Sequence, residues 1–592
     1  MTRTRLLLPA ALGVSLAVLG CGGGSEQGAE ASADTLPIPS DAKIADCRPG
    51  VRGGQMVVAT FSDPKTFNLM VANETSSTDV AGLMFAGLTT TSPITQQTEP
   101  SLAKSWEHSD DYLTWTFHLR EDISWSDGEP ITAADVVFSF QVLYDEGIRV
   151  PMADLLQVDG EPFAVEEVDE HTVCISLPGP YAPFERFLGG ATILPQHKLR
   201  APYEAGDFES TWGVGTAPED IVCSGAYVLE RFLPGEKVVL RRNPHYWVID
   251  ADGTRLPYLD RIVFINVPDL NSMLLAFESG QSDVLDTVRP EDYDSLKQGE
   301  AGGGYSIEDL GPALGSNHIW FNQNPGANEE GVPYVSPVKL RWFTDRDFRR
   351  AVAHALDRDS IVKNVLDGRG SPCWGPISPG NAFWYNPDVT QYPYDLKRAA
   401  RMLDEAGYVD RDGDGVREDT AGNPIKFTLI TNTGNDIRIA VGNIIRRDLE
   451  DLGLDVTFAP LEFNALVTKL ASTYDYECCL LGLTGGIDPA GGMNVWLSSG
   501  STHEWYPEQE SPATEWEARV DQLMYAQIKE MDQDKRKRMF DEVQAIISEQ
   551  IPFIYVFTSH AIVAYRSEFA NVRPVVTRPR LLWNADEIYL RR

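Results

Sequence analysis

The stretch from Leu102 to Leu143, LAKSWEHSDDYLTWTFHLREDISWSDGEPITAADVVFSFQVL, changes its hydrophobic period part-way along. Trp115, Phe117 and Leu119 alternate with Thr114, Thr116, His118 and Arg120, the two-residue period of a strand with one buried face. Ser126-Asp127-Gly128 supplies a turn. Thr132, followed three residues later by Asp135, reads as a helix N-cap with an acidic third position, and Val136, Val137, Phe140 and Leu143 then recur at helical spacing. The stretch predicts strand, turn and helix in succession within a mixed α/β domain.

A second segment shows the helical period twice. In TDRDFRRAVAHALDRDSIVKNVLDG, Phe348, Val352, Ala355 and Leu356 fall on one helical face. Asp359 is placed to cap a second helix carrying Ile361, Val362, Val365 and Leu366, and Gly368 is placed to end it. The plain role of all these residues is packing, so they describe a scaffold and not its cargo.

The chain begins with Arg3 and Arg5 ahead of a nearly unbroken apolar run from Leu6 to Leu19. That run is shorter than the roughly 20 residues of a membrane span and fits the apolar core of a secretory signal, residues 1–20. Val18-Leu19-Gly20-Cys21 resembles a bacterial lipobox, which implies that Cys21 carries lipid. The Gly/Ser/Glu-rich residues after it predict a flexible tether over 21–49.

Composition narrows the function classes. The 592 residues carry a formal charge of -37, are 43% hydrophobic and 10% aromatic, and have ample material for large buried cores. So acidic a surface repels phosphate backbones, so nucleic acid is not an expected partner. Cys47, Cys174, Cys223, Cys373, Cys478 and Cys479 form no zinc-like spacing; six cysteines allow 15 pairings, and the apolar run YECCLLGL favours buried thiols at Cys478 and Cys479. There is no GxSxG elbow, no HExxH, and no lysine follows a glycine, which excludes the usual phosphate loop. With 87 acids, nominating any two as a catalytic pair is uninformative. No catalytic residue is expected.

As one string, Leu102 to Leu143 closely resembles the defining motif of the family 5 extracellular solute-binding proteins, the peptide and nickel type of ABC-transporter receptors. GGQMVVATFSDPKTFNLMVA is similar to that family's first strand and its Asp-Pro loop, and AGLMFAGLTTTSP to its first helix. TILPQHKL, CSGAYVLERFLPGEKVVLRRNPHYW, LDRIVFINVPD, FRRAVAHALDRDSIVKNVLDGRG, YDLKRAARMLDEAGY, YDYECCLLGLTGGIDP and QIPFIYVF continue the series in the family's order. The resemblance implies a two-lobed α/β fold like the periplasmic binding proteins, of type II and the large cluster, with an extra subdomain in the first lobe. Lobe I is expected over 50–300 with the subdomain at about 80–190, lobe II over 301–554, and a return to lobe I over 555–592. Such lobes hinge at the crossing segments and close over a solute.

The same resemblance points to ligand residues. In peptide-binding members the segment matching LGLTGGIDP carries a tryptophan and, three residues on, an aspartate that pairs with a peptide amino terminus; here those positions are Leu483 and Gly486. A buried ammonium without an anion is costly, which leaves Asp488, two residues later, as a substitute or as a turn residue beside Pro489. Further candidate contacts are Phe67 and Asn68 after the first strand, Trp374 and Trp384 in SPCWGPISPGNAFWYNP, Trp496 in GGMNVWLSSG, and Tyr555 at the crossing back. Each is equally good core material. No histidine falls in the segments expected to face the cleft, which argues against nickel. Asp410, Asp412 and Asp414 begin like a calcium loop, but an EF-hand needs a glutamate at its twelfth position, which is Ala421 here. A polar turn is the simpler reading, with structural calcium as the alternative, and no other cofactor is expected.

These expectations describe an exported, lipid-anchored monomeric receptor that passes an oligopeptide or similar solute to an ABC permease and ATPase complex. Oligosaccharide or opine-like ligands, metal chelates, and a sensing role without transport stay open. If Cys21 is the anchor, Cys21→Ser releases a soluble, folded, ligand-competent protein; fractionation that finds the processed variant still in the membrane pellet contradicts the anchor.

Overall fold

A computed structural model describes residues 36–591, so the signal segment and Cys21 lie outside the described residues. The predicted period change in the opening stretch is a physical one. Thr114–Leu119 is a strand with Trp115, Phe117 and Leu119 inside, and it lies second in a four-stranded antiparallel sheet with Ala103–His108, Thr172–Ser176 and Ala164–Asp169. The helix Ala133–Leu143 follows, closed at its N-terminus by a capping box between Thr132 and Asp135. Val136, Phe140 and Leu143 are buried as their spacing requires, while Phe138 takes an inward place and Val137 is half-exposed.

The main framework is a 12-stranded sheet in two halves. Tyr227–Leu233, Lys237–Arg242, Arg261–Asn266, Gln55–Thr60 and Val284–Leu285 form one half in that spatial order. Ser316–Phe321, Cys478–Leu483, Lys426–Asn432 and Asp455–Leu461 form the other. Between them lies the 14-residue strand Phe553–Arg566, which belongs to both. Its first part pairs with Ser316–Phe321, and its last part pairs with Tyr305–Pro312 and Val284–Leu285. The chain therefore crosses between lobes twice, at 313–315 and near Thr558. There the Thr558 hydroxyl donates to the carbonyls of Ala313 (3.1 Å) and Gly315 (2.7 Å).

In the second lobe, the helices Arg346–Ala355, Arg358–Asn364, Leu396–Glu405 and Asp436–Asp451 cover the sheet, with Phe348, Val352, Leu356, Ile361 and Leu403 fully buried. The second of these starts two residues earlier than its sequence suggests. Its cap is Asp357, whose carboxylate accepts from Ser360 N at 2.9 Å, and Asp359 sits in the first turn. Gly368 ends the segment with φ +73°. The expected helix in AGLMFAGLTTTSP is instead Thr75–Ala81, just upstream.

One sequence expectation needs correction. Residues 36–49, expected as part of the tether, are packed on the first lobe, where Lys43–Ile44 pairs in parallel with Val248–Ile249 and the carbonyls of Leu36 and Pro37 accept from Arg255. The six described cysteines are all free thiols, Cys478 and Cys479 fully buried. Among the described residues no helix is long and apolar enough to cross a membrane.

Asp135 joins the opening stretch to the rest of the subdomain. Its buried carboxylate accepts from Thr132 N (2.9 Å), Gln196 N (2.9 Å) and Trp125 Nε1 (3.2 Å). Asp135→Ala removes a cap and leaves buried donors unmatched, which costs about 2–4 kcal/mol. Urea denaturation is expected to show a lowered midpoint for Asp135→Ala and a partial recovery for Asp135→Asn.

Candidate ligand-binding cleft

A cavity of about 860 Å³ lies between the lobes, straddling the crossing strand at Phe557, Ser559, His560 and Ile562. The two sides touch around it. Arg149 donates to the carbonyls of Ala471 (3.0 Å) and Ser501 (2.9 Å), Leu270 N to Gly434 O (3.2 Å), and Arg289 approaches Asp436 at 3.6 Å. Phe61 and Phe463 meet edge to face with centroids 6.1 Å apart. These contacts close the lobes on each other.

The floor depends on glycine. A Cβ on Gly485 would stand 2.0 Å from the Leu314 carbonyl oxygen, and one on Gly315 would stand 2.4 Å from that of Leu483. Backbone thus packs on backbone where the chain crosses between lobes, and no side chain fits between. Gly486, next in line, has open space: an added Cβ would meet only the Asp488 carbonyl, at 3.7 Å. The Asn381 amide donates to its carbonyl at 3.1 Å.

The walls carry charge of both signs. On the first-lobe side Arg578 stands 3.5 Å from Asp79 and 3.4 Å from Asp286, and Arg580 stands 3.6 Å from Asp286. Burial raises the Asp79 carboxyl to about 6, against the opposing pull of Arg578. Arg580 Nε is buried with no hydrogen-bond partner among the described residues. On the second-lobe side Arg438 donates to Asn317 (3.0 Å) and Asn432 (2.9 Å), and burial brings its guanidinium down to about 10. Glu504 also lines this side, and burial alone pushes its carboxyl up to about 8.

Of the nine ligand candidates read from sequence, Leu483 and Gly486 line the cavity. The other seven are placed elsewhere, each with a packing partner. Phe67 is fully buried, edge-on to Phe232, and the Asn68 amide donates to Phe208 O while its own oxygen accepts from Met70 N. Trp374 lies under the Arg358 guanidinium at 4.6 Å, and Trp384 under that of Arg536 at 5.3 Å. Asp488 does not reach the cavity: it forms a two-pronged buried pair with Arg536 (2.7 and 3.1 Å) and caps the turn at Ala490. Trp496 packs between Trp505 and Phe553, and Tyr555 against His318 and Phe553.

Two histidines, His503 and His560, do line the cavity, contrary to the sequence expectation. The His560 ring faces both oxygens of Asp309 at 3.0 Å, and His503 Nδ1 faces the Val495 carbonyl at 3.0 Å. Far from the cleft, Asp410, Asp412 and Asp414 gather with Glu418, their oxygens within 4.8 Å of one another. Several of these oxygens already accept backbone N–H groups of the loop, from Gly413, Asp414, Gly415 and Val416, as a polar turn requires. Sequence reasoning missed Asp79, Asp286, Arg438, Glu504, Arg578 and Arg580. They come from segments as far apart as Asp79 and Arg580, and no local pattern marks them.

This architecture has known counterparts. A model of the bacterial extracellular solute-binding proteins, family 5, matches residues 97–504. A probable ABC transporter-binding protein of Deinococcus radiodurans is 28% identical over 85% of this chain and 86% of its own. The oligopeptide-binding protein AppA of Bacillus subtilis, solved with a nonapeptide, superposes with a TM-score of 0.79 at 24% identity, covering 92% of this chain and all of that one. The periplasmic binding protein MelB of Agrobacterium fabrum, solved with stachyose, gives the same TM-score at 22% identity over 92% of this chain and 86% of its own. A closed cleft between lobes joined by a shared strand, an antiparallel subdomain on the first lobe and a match across most of the chain lead to one assignment: this protein belongs to the family 5 extracellular solute-binding proteins, non-enzymatic receptors that bind solutes for ABC transporters.

Proposed function

We propose that this receptor is held at the membrane by lipid on Cys21, captures an oligopeptide or similar solute between its lobes, and delivers it to an ABC permease and ATPase complex. The carrying observation is the charge in the cleft walls. Carboxyl and guanidinium groups line the cavity together, and although those of the first-lobe wall pair with one another, Arg438 has only amide oxygens as partners, so a neutral solute closing over it would leave a buried charge without a counter-charge, which is costly. A solute with charges of its own repays that desolvation. The nonapeptide bound by AppA agrees with this reading.

A second reading, an oligosaccharide receptor, draws on the equal likeness to stachyose-bound MelB and on the partly exposed rings of Phe61 and Phe463 in the lining, since aromatic faces suit sugars. A sensing role without transport uses the same closure. The ligand class is tested by thermal unfolding of the full chain with a pool of short free-amine peptides and, separately, with stachyose. A ligand at a hundred times its dissociation constant adds about 2.7 kcal/mol of stability. Stabilisation by the peptides is expected; stabilisation by stachyose alone overturns the peptide reading in favour of the second.

A further inference from the structure

We infer that the carboxyl of Glu504 is the cleft's seat for a cationic group on the solute. The inference rests on the peptide-type reading above and adds to it which residue supplies the anion. The position that supplies it in the family motif is Gly486 here, and Asp488 is committed to Arg536.

Glu504 is held firmly from the backbone outward. Its carbonyl accepts from the Tyr476 hydroxyl, which in turn accepts from Trp320 Nε1 at 3.1 Å. The neighbouring rings of His503 and Trp505 are buried, 3.8 Å apart at their centroids, and Trp505 packs edge-on against Phe553 of the crossing strand. A side chain on so fixed a segment reaches the cavity with little freedom to leave it.

Its carboxyl nevertheless lacks a partner. Neither oxygen has a hydrogen bond or ion pair among the described residues: Oε2 is shut inside the wall, which leaves Oε1 as the oxygen a solute in the cavity can reach, and the raised pKa has burial as its only resolved cause. The arginines that line the cavity on this side are occupied, and the side chains that feel its charge are neutral. Arg438 is committed to Asn317 and Asn432, and Arg149 to the carbonyls of Ala471 and Ser501. Tyr476 and Cys479, which feel the charge of Glu504, are pushed well up by burial and stay neutral. On its own segment the His503 ring faces the Val495 carbonyl, and Glu508, another acid, faces the Tyr474 hydroxyl. A buried acid without a counter-charge holds its proton at neutral pH; an ammonium or guanidinium beside it would draw the proton off and complete an ion pair.

The chemistry is shared by a peptide's terminal ammonium and by a lysine or arginine side chain, and the test separates these sources. The full chain and Glu504→Gln are titrated by calorimetry with the free-amine peptide pool, the same pool N-acetylated, and N-acetylated lysine peptides, with stachyose as the neutral probe. Wild type is expected to bind a cationic pool about 10- to 100-fold more tightly than Glu504→Gln, the size of a lost charge-assisted bond. Loss of binding on acetylation identifies the terminal ammonium; binding restored by acetylated lysine peptides identifies a side-chain cation. At about pH 6.5, where the amine is charged, binding to wild type should release close to one proton, seen as an enthalpy that changes with buffer ionisation heat, and binding to the variant should release none.

Equal affinity of both proteins for free-amine peptides overturns the seat while leaving the peptide reading intact. Affinity lost in the variant without proton release in wild type means a neutral hydrogen bond and also overturns it. Binding of stachyose alone, or of none of the probes, removes both readings. Equal circular dichroism and unliganded melting at about pH 5, where the carboxyl is neutral in wild type, verify that Glu504→Gln is folded.

Discussion

The strand Phe553–Arg566 is the constraint on which the rest of the molecule depends. It is hydrogen-bonded into both halves of the sheet, so neither lobe is complete without it, and a change of angle between lobes must bend both it and the antiparallel crossing at 313–315. The Thr558 hydroxyl ties the two crossings together through the carbonyls of Ala313 and Gly315. Backbone-to-backbone packing of Gly485 on Leu314 brings the cleft floor directly against that joint. A solute seated on the floor therefore lies where small backbone rotations move whole lobes.

Closure also decides the electrostatics. The chain as a whole is strongly acidic, yet its cleft collects Arg438, Arg578 and Arg580 beside Asp79, Asp286 and Glu504. Open to water, these groups would be solvated at little cost. Closed, they interact in a low dielectric, so a well-matched solute stabilises the closed form and a mismatched one opposes it. Selectivity and conformational change are then one property: the free energy that distinguishes solutes is the free energy that shuts the lobes. The arginines on the first-lobe wall already face Asp79 and Asp286, whereas Glu504 on the opposite wall has no such companion. Arg438 lies on that wall too but is committed to Asn317 and Asn432, so Glu504 stands there as a carboxyl without a counter-charge.

Much of the scaffold was legible in the sequence because its signals are local. The alternation at Trp115, Phe117 and Leu119 and the Thr132–Asp135 box each need only neighbours along the chain. Even the misplaced cap, Asp359 for Asp357, is an error of two residues between equivalent aspartates. The cleft was less legible. Leu483 and Gly486 were found through the family motif, but Trp384, Trp496 and Tyr555, chosen as aromatic contacts, are core residues, because large rings serve packing and recognition with the same surface. Glu504 is one of 87 acids, and what distinguishes it is a missing counter-charge in three dimensions, which no sequence pattern expresses.

The central claim is that this two-lobed receptor closes over its solute by rotation about the shared strand. Small-angle X-ray scattering of the full chain, recorded without solute and with the free-amine peptide pool at saturation, measures that motion directly. A fall in the radius of gyration on adding the pool, to the value calculated for the closed structure described above, is the expected result. A bound protein, verified by calorimetry on the same sample, whose scattering keeps the dimensions of an open form would contradict closure as the mode of capture.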